Sequence, residues 1–506
     1  MLATPRVDAP FYPRACTMII RFLRCLAIVL AALACPSLTA GAADILTADD
    51  ASHDAKVLVA ALRALHPALD KYRNPAEVEA AFARFRARAG QARSPEAMYL
   101  AATALAASIR CGHTWTNVLN QQGAIKARLL EAPDKLPLQM TLVEGRWLVL
   151  ASAAPDIAAG DELVTIDGID SAGVVARMMP YLRADGSNDG KRLRQLGHDR
   201  PEYSMMDIVW PLLSPPVAGV YRLGVRRGDG PLRSVDARAL TLAQRREALR
   251  RRGIAPRSEA WRFQIEGRRA IMTLPTFSVY REGLDWRRFF ALHFGEMREQ
   301  HVEHLVIDIR DNEGGDGAIG LELLSYLIDT PHTDHADQSV TTYERVPYEL
   351  ARYLDTWDFG FFDRTGQVDP ILDGPQAGRL RFRPKAATLH RVEPKPERFR
   401  GQVFLLVGPE NSSAAFSLAR LTQQYKAAVL VGQPTGGNLR GLNGGQLAWV
   451  TLPHSGVAVD IPLLASRYDA DTPDASVIPD VLVRRTYTGQ AAGRDEEMAA
   501  VEATGR

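Results

Sequence analysis

Three rhythms of apolar and polar residues divide the chain. Over residues 55–109 the apolar positions recur at helical spacing in a stretch rich in Ala, Leu, Arg and Glu, punctuated by Pro67, Pro75 and Pro95, which predicts three or four short helices. From about residue 136 to 225 the pattern shortens to strand-length runs, LPLQMTLV, RWLVLA and ELVTIDG, broken by turns such as residues 158–161 and by one helical stretch near 172–182. A basic stretch at 245–257 reads as a solvated connector and a domain boundary. Beyond it HLVIDI, GAIGLELLSYL, QVFLLV, SAAFSLARLTQQY and AVLVG alternate strand with helix, which predicts βαβ units whose strands are buried on both faces. Residues 355–401 interrupt that alternation with Trp357, Phe359, Phe361, Phe362 and several prolines, so a lid, a pocket wall and packed irregular structure are all open readings.

At the front of the chain, Arg21 and Arg24 precede an apolar run from Leu26 to Ala34 that ends in small residues at 40–43. This predicts a signal peptide over residues 1–43, too short for a comfortable span, and hence export to the periplasm or beyond, with no stable membrane span after cleavage. Met18 offers a later start, and Cys35 a weak lipidation site, so a lipid anchor is the lesser expectation. Cys16, Cys25 and Cys35 leave with this leader, so Cys111 alone remains and no internal disulfide can form. The four arginines and one aspartate of the leader leave with them, which takes the net charge from +2 to about −1 and gives no support to a nucleic-acid partner. The mature composition, 46% apolar and 24% charged for the whole chain, suffices for two or three domains.

Three turns carry candidate chemistry. In VFLLVGPENSSAAFSLARLTQQY a buried strand passes through a Gly-Pro-Glu-Asn turn into a helix, which presents Ser412 or Ser413 at a helix N-terminus, where the dipole and the amide of Ala414 favour negative charge. Serine is also the preferred helix cap, so this motif alone is most simply a cap. In VIDIRDNEGGDG a strand runs into Gly314 and Gly315, whose lack of side chains allows a second amide to approach; alone this is an ordinary turn, and it lacks EF-hand spacing. In IRCGHTWTN a helical segment closes on His113 in a turn. His301 and His304 in HVEH have no third ligand, which argues against a metal, and no P-loop, GxGxxG or GxSxG is present.

Together, CGHT, DIRDNEGG, NSSAAFSLA and VGQPTGGN, in this order around a β-rich module, resemble the tail-specific and C-terminal processing serine protease family, in its tricorn-like branch. The resemblance implies an α/β fold, a crotonase/ClpP-like βαβ spiral core with an N-terminal helical segment and a PDZ-like β-rich module. It divides the chain into a signal peptide (1–43), a helical domain with His113 (44–125), a PDZ-like module (130–240), a catalytic core (258–490) and a C-terminal tail (491–506). It implies Ser413 as nucleophile, His113 as base, Asp474 as the assisting acid with Asp471 in reserve, and Ala414 with Gly314 or Gly315 as oxyanion donors, with no cofactor and no metal. Three positions depart from the family pattern: Phe416 stands where the family has Glu, Asn438 where one branch has its lysine, and Gly112 where the tricorn type has a serine. The implied activity is hydrolysis of peptide bonds in peptides or unfolded proteins. A catalytically impaired peptide-binding or chaperone-like protein, and a hydrolase of non-protein acyl substrates, are the rival expectations.

Overall fold

The computed structural model describes residues 45–198, 203–254, 260–280, 283–335, 339–383 and 389–504, so the expected signal peptide lies outside the described residues. Two of the predicted punctuation marks start helices: Pro75–Gly90 and Pro95–Ser108 each begin on a proline, which lacks the N–H that a first turn leaves unpaired anyway. With Ala48–Leu65 and Gly123–Glu131 they form the N-terminal helical segment. Thr47 and Asn74 close capping boxes with Asp50 and Glu77, which sets where the first two helices begin.

The β-rich stretch folds into an antiparallel sheet whose main order is Leu138–Val143, Arg146–Ser152, Glu162–Ile166, Val220–Arg226, Arg233–Arg238. It shares one hydrophobic core with the N-terminal helices and with a three-stranded sheet formed by Leu354–Asp355, Leu447–Thr451 and Ala458–Pro462. Part of the segment 355–401 joins this body as packed structure: Val368–Pro370 and Leu380–Phe382 pair with each other, and the latter pairs with Ser339–Thr341.

The second body is built on a six-stranded sheet in the order Val481–Leu482, Val429–Gly432, Gln402–Val407, His304–Asp308, Arg269–Thr273, Arg262–Glu266, parallel except for the last pair. Alternation along Gln402–Val407 explains its burial on both sides. Val403, Leu405 and Val407 pack with the helices Trp286–Glu299, Gly317–Ser325 and Ser413–Gln424, whereas Phe404 and Leu406 face Val501 on the other side. Val501 belongs to a helix, Glu496–Thr504, where a tail was expected. Its anchor is electrostatic as well as apolar, because Arg310 reaches from Asp308 to Asp495 and Glu497.

The expected solvated connector is also structured in its first half. Thr241 caps a helix, Leu242–Arg251, and Arg245 within it is buried, with two nitrogens on the carboxylate of Asp207 at 2.6 and 2.7 Å. The same guanidinium donates to the carbonyls of Leu136 and Leu138, so one arginine ties this helix to the first strand of the antiparallel sheet. Burial alone would disfavour the Asp207 carboxylate, but Arg245 and His198 beside it hold its acid far below the ordinary range. Removing one partner strands a buried charge. Asp207→Ala is therefore expected to lower unfolding stability by about 3–5 kcal/mol, measured by denaturant titration. A loss under about 1 kcal/mol would contradict this account.

Candidate active site

The Ser413 turn is shaped by backbone before side chains. The strand Gln402–Val407 ends at Gly408, whose amide donates to Asn411 Oδ1 at 2.8 Å, while Asn411 Nδ2 reaches the carbonyls of Ile309 and Asn312. The chain enters the next helix at Ser413 with φ of +51°, a left-handed conformation that is strained for serine and is of the kind concentrated at functional sites. Ser412, the capping position, makes no side-chain cap bond; its hydroxyl instead donates to the carbonyl of Glu313 at 3.2 Å.

Gly314 lies directly beneath that serine. A Cβ there would come within 2.7 Å of Ser413 Cβ and 2.9 Å of the Ala414 nitrogen, so only glycine permits this approach. The two candidate glycine amides differ in availability. Gly314 N donates to Asn312 Oδ1 at 2.8 Å and is occupied. Phe277 bonds to the carbonyl of Gly314 and the amide of Asp316, so the intervening Gly315 turns its own N–H away from Phe277. Neither Gly315 N nor Ala414 N has an acceptor among the described residues, and the Ala414 amide is one of the first-turn donors that a helix leaves unpaired.

His113 comes from the other body. The turn after Pro95–Ser108 passes through Arg110 at φ +60° and is pinned by His66 to Thr114 at 2.9 Å and by Tyr99 to the Thr116 carbonyl at 3.0 Å. Gly444 supports the ring. A Cβ there would sit at nearly equal distances, 3.3, 3.3 and 3.4 Å, from Cδ2, Nε2 and Cε1, which places it over the face of the imidazole. His113, Ser413, Gly314 and Gly315 line one cavity of about 560 Å³ at the seam between the two bodies. Ala414 follows the serine. Burial is the main influence on His113 and pushes its pKa below the ordinary value; Asp185 opposes this, and Arg183 acts in the same direction as burial. The imidazole is therefore neutral at neutral pH, the form a base requires.

Asp474 does not reach this ring. Its oxygens accept from Ser187 N at 3.0 Å, Ser187 Oγ at 2.6 Å and Asn438 Nδ2 at 2.7 Å, and His113 Nδ1 has no hydrogen-bond partner. The reserve, Asp471, is exposed. The carboxylate bonded to the His113 turn is Asp185, whose Oδ1 accepts the Gly112 amide at 2.9 Å. A side chain at position 112 would meet Asp185 Oδ2 at 2.9 Å, so glycine there leaves room for this carboxylate. The Phe416 departure has a similar steric partner: a Cβ on Gly437 would lie 2.3 Å from the Phe416 ring, so the Gly-Gly loop and the phenylalanine fit each other.

Residues 268–481 match the sequence family described as peptidase family S41. The chain carries an S41 peptidase domain. That domain is a serine-type peptidase domain of the tail-specific protease family. No curated protein sequence matches the chain. Among solved structures, mature CPAF complexed with lactacystin aligns at a TM-score of 0.61 with 15% identity, over 90% of this chain and 97% of that one. Mature CPAF alone gives 0.56 with 15% identity, over 88% and 94%. The photosystem II D1 C-terminal processing protease aligns over 87% and 94% with 15% identity at a TM-score of 0.39. At these identities the likeness to CPAF is one of fold.

Sequence reading missed the polar frame of the S41 site. Asn312 and Asn411 lie inside the motifs DNEGG and PENSS, where an amide in a turn after a buried strand was the available signal. Lys191, in the otherwise featureless GSNDGKRLR, gave none. It is only 2% exposed, and its ammonium contacts Glu313 Oε1 at 2.8 Å, Glu410 Oε1 at 3.1 Å and the Glu410 carbonyl at 3.2 Å. It thus joins the residue before Gly314 to the turn before Ser413. Lys191→Met is expected to slow fluorophosphonate labelling of Ser413 roughly 10²-fold by loosening both loops, with partial recovery in Lys191→Arg. Labelling at the wild-type rate would show that the ion pairs serve stability alone.

Proposed function

We propose that this protein is an exported peptidase that cleaves peptides or unfolded proteins through an acyl-enzyme on Ser413, with His113 as general base. The observation that carries the proposal is the shared cavity: an imidazole kept neutral by burial and a serine held at positive φ line it together with Gly315. His113 takes the hydroxyl proton as Ser413 Oγ attacks the scissile carbonyl carbon, and the developing oxyanion is met by the Gly315 and Ala414 amides. The carbon–nitrogen bond then breaks, and the departing amine receives the proton from His113. Water, deprotonated by the same ring, attacks the ester carbonyl and releases the acid, restoring the serine. Asp185, buried behind Gly112, supplies the negative charge that favours the transient imidazolium, the part first expected of Asp474.

Leu138–Val143 is the terminal strand of the antiparallel sheet, but PDZ-type strand addition would have to displace Arg245 from the Leu138 carbonyl and His198 from the Met140 carbonyl. No helix among the described residues is long and apolar enough to cross a membrane.

Two measurements test the mechanism. Ser413→Ala should abolish fluorophosphonate labelling and casein cleavage, and His113→Ala should lower kcat/KM on the order of 10⁴-fold; cleavage that survives Ser413→Ala would refute the assignment. The base works unprotonated, so the rate should hold on a plateau and fall only as pH drops through a lowered histidine pKa. The half-maximal point of kcat/KM is expected below pH 6.5, the ordinary histidine value.

A further inference from the structure

We propose that Asp460 sets the substrate class of this site, namely peptides with a lysine or arginine side chain beside the scissile bond; this rests on the peptidase reading above. Asp460 lies on the strand Ala458–Pro462, where its main-chain nitrogen donates to the Trp115 carbonyl at 2.9 Å, and its side chain contributes to the wall of the same cavity as Ser413 and His113. It is 2% exposed. Its oxygens accept from Asn120 Nδ2 at 2.9 and 3.1 Å and from Asn117 Nδ2 at 3.2 Å, all neutral donors.

The other acids of the cavity are differently placed. Glu313 is paired with Arg183 and Lys191, Asp311 with Arg194, and Asp185 is turned toward the base. Asp460 has no cation in ion-pair contact among the described residues, and Arg183 acts on it only from a greater distance. A buried carboxylate whose hydrogen-bond partners, Asn117, Asn120 and the Trp115 side chain, are all uncharged is costly to keep charged, and burial accordingly pushes its acid up to about 6. At neutral pH it is mostly ionised, and a substrate cation would supply the missing charge.

Anchoring of the Asn117–Asn120 turn does not account for that charge. Gln121 already fastens this segment to the same strand, donating to the Ala458 carbonyl at 2.8 Å and accepting the Ala458 amide at 2.9 Å. A neutral side chain at position 460 would serve equally as an acceptor. Leu119 and Leu447 line the cavity with it, so the wall offers apolar contact beside a carboxylate, the complement of an aliphatic stem with a cationic tip.

The experiment uses the purified mature protein and fluorogenic peptides in which one position at a time flanking the cleaved bond carries lysine or norleucine. Wild type is expected to favour lysine at one position by about tenfold or more in kcat/KM. In Asp460→Asn the ratio should fall toward one while fluorophosphonate labelling of Ser413 continues. The wild-type ratio should also decline as pH falls below about 6, where Asp460 takes up its proton, and this arm decides the matter even if the variant fails to fold. Labelling without any preference for lysine, or a preference unchanged in Asp460→Asn or across pH, overturns the assignment of Asp460 alone. Absence of labelling overturns the peptidase reading and this one with it.

Discussion

One short segment, residues 183–191, holds the site together, because it is bonded to all three turns that line the cavity. Arg183 donates to the Gly112 carbonyl, Asp185 accepts the Gly112 amide and Gly186 donates to the Arg110 carbonyl, which fixes the turn that carries His113. From the same segment Arg183 and Lys191 meet Glu313, and Lys191 continues to Glu410. Lys191 and Glu410 are enclosed too deeply to relax into water, so each holds its partners to a narrow range of positions. The relation between the His113 turn, the serine turn and the glycine loop is therefore set by an ionic cluster that centres on residues 183–191 and reaches the other two turns through Glu313 and Glu410.

The two-body construction gives this cluster its purpose. Ser413 and the glycines stand at the ends of strands in a sheet whose faces are both filled, a rigid platform. His113 stands in a turn over a different core, shared by the front helices and the antiparallel sheet. Hydrophobic burial has no directional preference and can bring two such bodies together without fixing their register to the fraction of an ångström that proton transfer needs. Directional contacts across the seam supply it: hydrogen bonds to the Gly112 peptide on one side and ion pairs to Glu313 and Glu410 on the other.

Much of this was legible in the sequence because it depends on local pattern. The unbroken apolar run of QVFLLV between helical patterns signals a doubly buried strand, Pro75 and Pro95 punctuate the front helices, and the serine after PEN stands at a helix tip by the same reasoning that predicts any cap. Long-range charge pairing was not legible. Arg245 reads as one more basic residue in a solvated run until its partner, Asp207, 38 residues earlier, is seen beside it. The helix Glu496–Thr504 was read as a tail because its burial rests largely on Val501 and on the distant Arg310. Asp474 was favoured on its place near the closing Pro-Asp, whereas its oxygens are taken by Ser187 and Asn438. The Gly112 departure, a missing serine in sequence, is in three dimensions the space that Asp185 occupies.

The separation into two cores also bears on how the molecule ages. Partial opening that lifts the front helices would carry away the imidazole while leaving the parallel sheet and its serine folded, since the two bodies are filled by different sets of side chains. Loss of turnover and loss of secondary structure then report different events, with the first preceding the second. A preparation of this protein can look intact by circular dichroism while a growing share of its molecules has already lost His113 from the cavity.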